Sequence, residues 1–274
     1  MKKISTKISR KPFHLFWILA ILIFFNFCNL NLAFAESGSI TDVLRKEALA
    51  LDGMKHSGSM TACRGISSAN TRQKIVALTF DDGPHRKYTD EVLAILRMNN
   101  IKATFFVVGK NVEESPDVVK LTYAEGHVIG NHSYSHPYLS SLSGDEIETE
   151  LTKTNGIINR VIGVSPFLFR PPYGSCSPKT ARIARNLDFK TIMWSADYRM
   201  DLITASEKIA NEIVSHVRSG AIILLHDGGG NRENVVEALP IIIRALRNDG
   251  YEFVTVPELL NIKPYFVKRA TDAY

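Results

Sequence analysis

The 274-residue chain carries 33 Lys and Arg against 28 Asp and Glu, and its net charge of +5 is at first sight that of a basic protein. Five of those cations lie within the first eleven residues, which contain no acid, so the rest of the chain carries 28 charges of each sign. This balance, with no basic block or stripe, excludes the charge pattern of a protein that binds nucleic acid or anionic lipid.

The first 35 residues have the pattern of a secretory signal. An apolar run from Phe13 to Phe27 follows the cations, and Ala33-Phe34-Ala35 fits a small-x-small cleavage site. An uncleaved membrane anchor is the alternative, but the asparagines after residue 25 keep the run shorter than the ~20 apolar residues of a spanning helix. We therefore predict residues 1–35 to be a signal peptide and the mature protein to be secreted or extracytoplasmic, with a membrane contact only through this segment if it stays uncleaved.

Cleavage would leave two cysteines, Cys63 and Cys176, in a compartment that permits disulfides. They can form one bridge or remain two free thiols, because the sequence does not give the distance between them. Cys63 lies in a Gly-, Ser- and Thr-rich tract, and we interpret residues 36–72 as a spacer. Residues 73–262 then form one domain, followed by a tail at 263–274.

Within that domain, short apolar runs alternate with longer helical patterns, which is typical of βα units around a parallel sheet. The helical patterns include Gly144 to Ile162 and Val235 to Asn248, the second ending before Gly250. Seven runs predict strands: Ile75 to Phe80, Ala103 to Val108, His127 to Gly130, Phe167 to Arg170, Lys190 to Trp194, Ala221 to His226 and Glu252 to Thr255.

Polar residues fall at or just after the carboxyl ends of these runs, and in a closed parallel barrel such ends converge on the face where active sites are built. The residues concerned are Asp81, Asp82, His132, Arg170, Asp197 and His226.

Asp81 and Asp82 follow a buried-strand pattern, although an acidic pair before Gly-Pro is also common in a plain turn. His132 and His136 stand four residues apart, a spacing that brings two rings together in a helix or through a Ser- and Tyr-rich turn. One carboxylate and two imidazoles make an open three-ligand site, for which Zn²⁺ is the best candidate and Co²⁺, Ni²⁺ and Mn²⁺ are also compatible. We assign Asp82 to this site, because a cation there would also help to keep Asp81 ionised as a base.

Two further motifs complete the predicted acid and base chemistry. Arg170, beside a rigid double proline, has a planar fork of donors that can grip Asp81 bidentately, and the backbone N–H of Tyr173 is available to a developing oxyanion. His226 ends an apolar run and can donate a proton near neutral pH, while Leu224 lies on the same side and can line a small apolar pocket.

The motifs TFDDGP, NHSYSHP, FRPPYG, WSAD and LLHDG, in this order over Lys74 to Leu260, resemble the polysaccharide deacetylases of the nodulation-factor deacetylase type, carbohydrate esterase family 4. The resemblance implies a distorted (β/α) barrel of seven or eight parallel strands and metal-dependent removal of acetyl groups from a glycan. It implies Asp81 as base, His226 as acid and Arg170 as the arginine that orients the base. It implies Asp82, His132 and His136 as metal ligands and the N–H of Tyr173 as part of an oxyanion hole. Leu224 and Trp194 are further candidate substrate contacts.

One departure from the family pattern concerns the acid. After WS-x-D the family usually has an Asp-Trp pair whose Asp tunes the histidine, and here Met200-Asp201 takes its place. Either Asp201 reaches His226 from the neighbouring position or His226 lacks its usual partner, and the absent Trp alters one wall of the acetyl pocket.

N-acetylglucosamine in peptidoglycan is the first candidate substrate, with chitin oligomers, an N-acetylglucosamine exopolysaccharide and acetylxylan as alternatives. The rival class is an inactive glycan-binding module that keeps the barrel, and a purely structural wall protein needs no such set of ligands. The oligomeric state has no signal in the sequence.

Overall fold

The structure, a computed structural model, describes residues 65–198 and 204–266. Each of the seven predicted strands is present in this part of the chain, most of them shortened by one or more residues. They are β1 Ile75–Asp81, β2 Thr104–Val107, β3 Val128–Asn131, β4 Leu168–Phe169, β5 Lys190–Thr191, β6 Ile222–His226 and β7 Glu252–Phe253.

The described residues also contain eight α-helices. They are α1 Tyr88–Met98, α2 Gly109–Glu114, α3 Pro116–Ala124, α4 Gly144–Ile162, α5 Pro178–Asn186, α6 Ser206–His216, α7 Glu233–Asn248 and α8 Val256–Leu260. The predicted bounds of α4 are confirmed, because Ser143 caps its amino end in a capping box with Glu146 and Gly163, at φ 76°, ends it.

All strand pairs are parallel, in the hydrogen-bonded order β5-β4-β3-β2-β1-β6. Beyond β5 the chain reaches β6, where Ala196 pairs in parallel with Ile223 and so joins the two ends of the sheet. β7 pairs in parallel with the first residues of β1, Ile75 and Val76. The predicted distorted (β/α) barrel is therefore confirmed, with seven strands.

The side chains on the two faces of β1 have different roles. Val76, Leu78 and Phe80 pack into the large apolar cluster that includes residues of α1, α6 and α7. Because successive side chains of a strand point to opposite faces, the other set, which continues through Thr79 to Asp81, faces the interior of the barrel. A strand buried on both faces thus ends with a carboxylate inside the barrel mouth.

Residues on both sides of the predicted 73–262 segment contact the barrel. Ile66 pairs with Ile192, and Tyr265 pairs with Pro166 and accepts the Ile129 N–H through its hydroxyl, at 3.1 Å. Cys176 is disulfide-bonded. Cys28, Cys63 and the signal segment lie outside the described residues, so the pairing of Cys176 with Cys63 stays a prediction. In the described part of the chain, no helix combines the length and apolar character needed to cross a membrane.

Candidate active site at the carboxyl ends of the strands

Asp81 and Arg170 form a buried ion pair in the barrel mouth. Arg170 is 0% exposed, and its Nη1 donates to Asp81 Oδ1 at 2.8 Å and to Thr79 Oγ1 at 2.7 Å. Burial lowers the pKa of the guanidinium, and the charge of Asp81 opposes that shift. Asp81 is thus the partner of Arg170, as the sequence predicts.

The contact is single rather than bidentate, because the other nitrogens of the guanidinium have other acceptors. Nη2 donates to the Met193 carbonyl at 3.0 Å, and the group lies over the Phe106 ring at 4.2 Å. Asp81 Oδ2 is left facing the site, 3.6 Å from His132 Nε2. One oxygen of this carboxylate is therefore held while the other faces the site.

Asp82 leaves the strand in the left-handed region, at φ 72°, and its side chain points to a different place from that of Asp81. Its Oδ1 lies 3.0 Å from His136 Nε2 and 3.4 Å from His132 Nε2. This oxygen is buried and has no hydrogen-bond partner of normal geometry among the described residues. Two adjacent acids are therefore separated into two environments by one backbone reversal.

The two histidines are brought together by a turn, not by a helix. After β3, Ser133 and His136 adopt φ values of 64° and 58°. Glu150 of α4 holds this turn, since its Oε2 accepts the N–H groups of Tyr134 and Ser135 at 2.8 Å each. Of the two arrangements that the spacing allows, the structure has the turn.

The ring orientation of His132 is set by its contact with Arg170. Its Nδ1 lies 2.7 Å from the Arg170 carbonyl oxygen, which only accepts hydrogen bonds, so Nδ1 carries the hydrogen. In the neutral ring, Nε2 then presents a lone pair toward Asp82, as in histidines that bind metals through one nitrogen and donate through the other.

The donor set fits a divalent cation. Ligand atoms of Asp82, His132 and His136 lie within 4.8 Å of one another. Burial raises the pKa of Asp82, but the neighbouring imidazoles outweigh burial and hold it well below its usual range. Burial lowers the pKa of His132, but Asp81 and Asp82 outweigh it and raise the pKa. The pocket thus favours a positive charge between these residues, the position that a cation would occupy with Oδ1 of Asp82 and two ring nitrogens.

Tyr173 lies at the edge of this group. It adopts φ 58° within the 3₁₀ turn Pro172–Gly174, and its ring stacks on Tyr138 at 4.0 Å and meets His136 edge-on at 4.5 Å. Burial raises the pKa of its phenol to about 12. Among the described residues, its backbone N–H has no acceptor, whereas the N–H groups of Gly174 and Ser175 bond to carbonyls within the turn.

His226 ends β6 directly opposite Asp81 in the parallel register. Its charge contributes to the low pKa of Asp82. Leu224, two residues earlier, is buried and bonds through its N–H to the Ala196 carbonyl. Trp194 is half-buried, with its ring 5.7 Å from the Arg170 guanidinium. The structure thus brings the predicted site residues to one mouth of the barrel, while Met200 and Asp201 lie outside the described residues.

Sequence reasoning missed three residues that hold the site. Thr79 accepts from Arg170, Glu150 fixes the histidine turn, and the Nη2 of Arg232 lies 3.5 Å from Asp82 Oδ2. Thr79 is a polar residue in a buried apolar run, which was a usable signal. Glu150 resembles any exposed acid on a helix, and no local pattern distinguishes it.

Comparison with known proteins connects this geometry to a family. The polysaccharide deacetylase profile matches residues 68–192. A peptidoglycan-N-acetylglucosamine deacetylase of Bacillus cereus is 40% identical over 193 residues, which cover 70% of this chain and 90% of that protein.

Solved structures agree in fold. A crystal structure of a peptidoglycan N-acetylglucosamine deacetylase bound to a naphthalenyl N-oxidanyl-benzamide has a TM-score of 0.71 and 38% identity, covering 73% of this chain and 94% of that chain. A carbohydrate esterase family 4 pseudoenzyme from Bacillus anthracis has a TM-score of 0.67 and 31% identity, covering 71% of this chain and 68% of that one.

Proposed function

This chain belongs to the polysaccharide deacetylase family, and on that premise we propose that it removes N-acetyl groups from the N-acetylglucosamine residues of peptidoglycan. One observation carries the proposal: Asp81 is paired with Arg170, while the adjacent Asp82 faces His132 and His136. Such a division supplies a base and a metal site within one motif. The names of the similar Bacillus cereus protein and of the solved structure support the choice of glycan.

The proposed base acts through one defined oxygen. Because Arg170 holds Asp81 Oδ1, the remaining Oδ2 takes the proton from the attacking water. Arg170 orients the carboxylate through a charged contact of 2.8 Å between its Nη1 and Asp81 Oδ1. A divalent metal held by Asp82, His132 and His136, with Zn²⁺ the best match to these donors, supplies Lewis-acid polarisation of the acetyl carbonyl.

The N–H of Tyr173 is the proposed donor to the oxyanion that forms as water adds to the carbonyl carbon. His226 is the proposed acid, which protonates the sugar nitrogen as the C–N bond breaks and acetate leaves. Leu224 and Trp194 are proposed to line the pocket for the acetyl methyl group. The tuning of His226 by Asp201 stays a prediction.

The protein is proposed to act outside the cytoplasm, after removal of residues 1–35. Residues 36–72 then link to the catalytic domain at 73–262, and residues 263–274 form a tail. Residues 65–72 and 263–266 contact the barrel, which supports a folded domain slightly longer than the sequence predicts.

An inactive glycan-binding module is the second candidate. It is favoured by the structural similarity to a family 4 pseudoenzyme and by the replacement of the Asp-Trp pair at Met200-Asp201. The intact set of Asp81, Asp82, both histidines and His226 favours the enzyme.

Acetate release by the purified secreted form tests the proposal. Peptidoglycan, chitin pentamer and acetylxylan are each incubated with the protein, then with a chelator, and then with added Zn²⁺ or Co²⁺. We expect release from peptidoglycan that the chelator abolishes and the metal restores. Release from chitin or xylan alone would overturn the substrate, and no release from any glycan would favour the binding module.

A further inference from the structure

The glycine run after β6 passes directly over Asp82. A methyl group at Gly228 would lie 2.2 Å from the Asp82 carbonyl oxygen, and one at Gly229 would lie 2.6 Å from Asp82 Oδ2. Gly229 also adopts φ 73°, which disfavours larger residues. Only glycine allows the backbone to pass so close to Asp82, so this turn places the residues that follow it next to the Asp82 carboxylate.

Arg232 ends this turn, immediately before α7, and its side chain is buried with 3% of the residue exposed. Its Nε donates to the Gly228 carbonyl at 2.6 Å, and its Nη2 lies 3.5 Å from Asp82 Oδ2. A buried guanidinium is tolerated when acceptors and an opposite charge surround it. Here one opposite charge is Asp82, a residue that the proposed function assigns to the metal.

The two oxygens of Asp82 therefore face different partners. Oδ1 faces the ring nitrogens of His132 and His136, whereas Oδ2 faces Arg232. We propose that Arg232 is a positioning residue that occupies Oδ2 and keeps Asp82 a ligand through Oδ1 alone. This inference rests on the metal site of the proposed function and assigns a residue outside its ligand set.

The guanidinium restricts the orientation of the carboxylate. It fixes the rotation of the carboxylate about the Cβ–Cγ bond, which leaves one oxygen in register with the two imidazoles. Partners behind metal-ligating carboxylates act in this way, and their loss typically costs about 10- to 100-fold in metal affinity or activity.

Arg232→Met tests the proposal, with Arg244→Met as the matched control. Arg244 lies on the same helix, α7, and is exposed, so its loss removes the same charge without touching Asp82. Three properties are measured: the Co²⁺ dissociation constant by competition with a chelating indicator, the visible spectrum of the Co²⁺ protein, and the melting temperature of the metal-free protein.

We expect Arg232→Met to bind Co²⁺ about 10- to 100-fold more weakly, with a changed visible spectrum, while Arg244→Met matches the parent. A folded Arg232→Met protein with the parent's affinity and spectrum would overturn the inference and leave the proposed function intact. A parent protein that binds neither Co²⁺ nor Zn²⁺ would overturn the metal site itself.

Arg232→Lys decides the question if Arg232→Met does not fold. Lysine keeps the charge but has one nitrogen, whereas Arg232 uses two different nitrogens for Gly228 and Asp82. We expect roughly tenfold weaker Co²⁺ binding and an altered spectrum. An Arg232→Lys protein indistinguishable from the parent in both measurements would overturn the proposal.

Discussion

His127 and His132 lie at opposite ends of β3, and each is only 2% exposed, yet their pKa values move in opposite directions. His127, before the strand, accepts the Ala103 N–H through Nδ1 and meets the Phe105 ring edge-on. Burial, with a contribution from the charge of Lys102, lowers its pKa to about 4. Burial also lowers the pKa of His132, but Asp81 and Asp82 outweigh it and raise the pKa.

The two histidines are equally buried, so the direction of the pKa shift depends on the end of the barrel at which each ring lies. At the carboxyl end of β3, two carboxylates from β1 and its following residue lie within 3.6 Å of the ring. At the amino end, the nearest acid oxygen lies 3.9 Å away on Glu125, and burial outweighs it. The amino end thus favours a neutral ring, and the carboxyl end favours a cation beside the ring.

The largest effect is expected on kcat, from Asp81→Asn at the carboxyl end of β1. The amide keeps an acceptor oxygen for Arg170 but cannot take a proton from water, so kcat should fall about 10²- to 10⁴-fold. Acetate release under saturating substrate measures this loss, and Asp249→Asn, an exposed acid after α7, serves as control. Turnover near the parent value in a folded Asp81→Asn protein would refute its assignment as base.

Removal of the partner of Asp81 should weaken the fold itself. Arg170→Met leaves a buried carboxylate without its cation, and such a loss costs about 3–5 kcal/mol. Urea unfolding of the metal-free protein measures the difference, with Arg182→Met on the exposed side of α5 as control. A loss smaller than about 1 kcal/mol would mean that the pair contributes little to stability.

At the amino end, the expected effect is a dependence of stability on pH. The folded pKa of His127 is about 4 against an ordinary value of 6.5, so between these values the unfolded chain binds the proton that the folded protein excludes. Stability from this group is present above pH 6.5 and is lost as the pH falls through 4, by on the order of 3 kcal/mol.

His127→Asn should therefore flatten the fall in stability between about pH 6.5 and pH 4. Unfolding free energies of the metal-free protein across this range measure the slope, and the exposed His216→Asn serves as the matched control. The same slope in His127→Asn and in the parent would contradict the buried neutral ring.

The smallest effect concerns the helix that holds the histidine turn. Ser143 caps α4 by accepting the Glu146 N–H, and Ser143→Ala should cost about 1 kcal/mol, with a modest loss of metal affinity through Glu150. Ser215→Ala, near the end of α6, removes a hydroxyl without removing an N-terminal cap. Equal stability of the two variants would show that the cap is dispensable.

The sequence predicted the strands and the placement of chemistry at their carboxyl ends, because apolar runs and helix caps are local signals. It also predicted the pairing of Asp81 with Arg170. It did not predict the left-handed backbone at Asp82, Ser133 and His136, because these positions lack the glycine that usually marks such a conformation.

Contacts between residues far apart in the sequence were also not predicted. Whether Arg170 grips one oxygen or two depends on the Met193 carbonyl, which lies 23 positions away in the sequence. Arg232 meets Asp82 across 150 positions, through a turn whose glycines look like an ordinary loop in the sequence. Such contacts depend on the closure of the barrel and have no local pattern.

The separate roles of the two adjacent acids are tested by the metal content of two variants, Asp81→Asn and Asp82→Asn, measured after equilibration with Zn²⁺ and removal of free metal. The two acids differ by one position but lie in separate environments, with Asp81 on Arg170 and Asp82 on the two imidazoles. We expect Asp81→Asn to retain the metal content of the parent and Asp82→Asn to lose the metal. Equal metal content in the two variants would contradict this division between the two carboxylates.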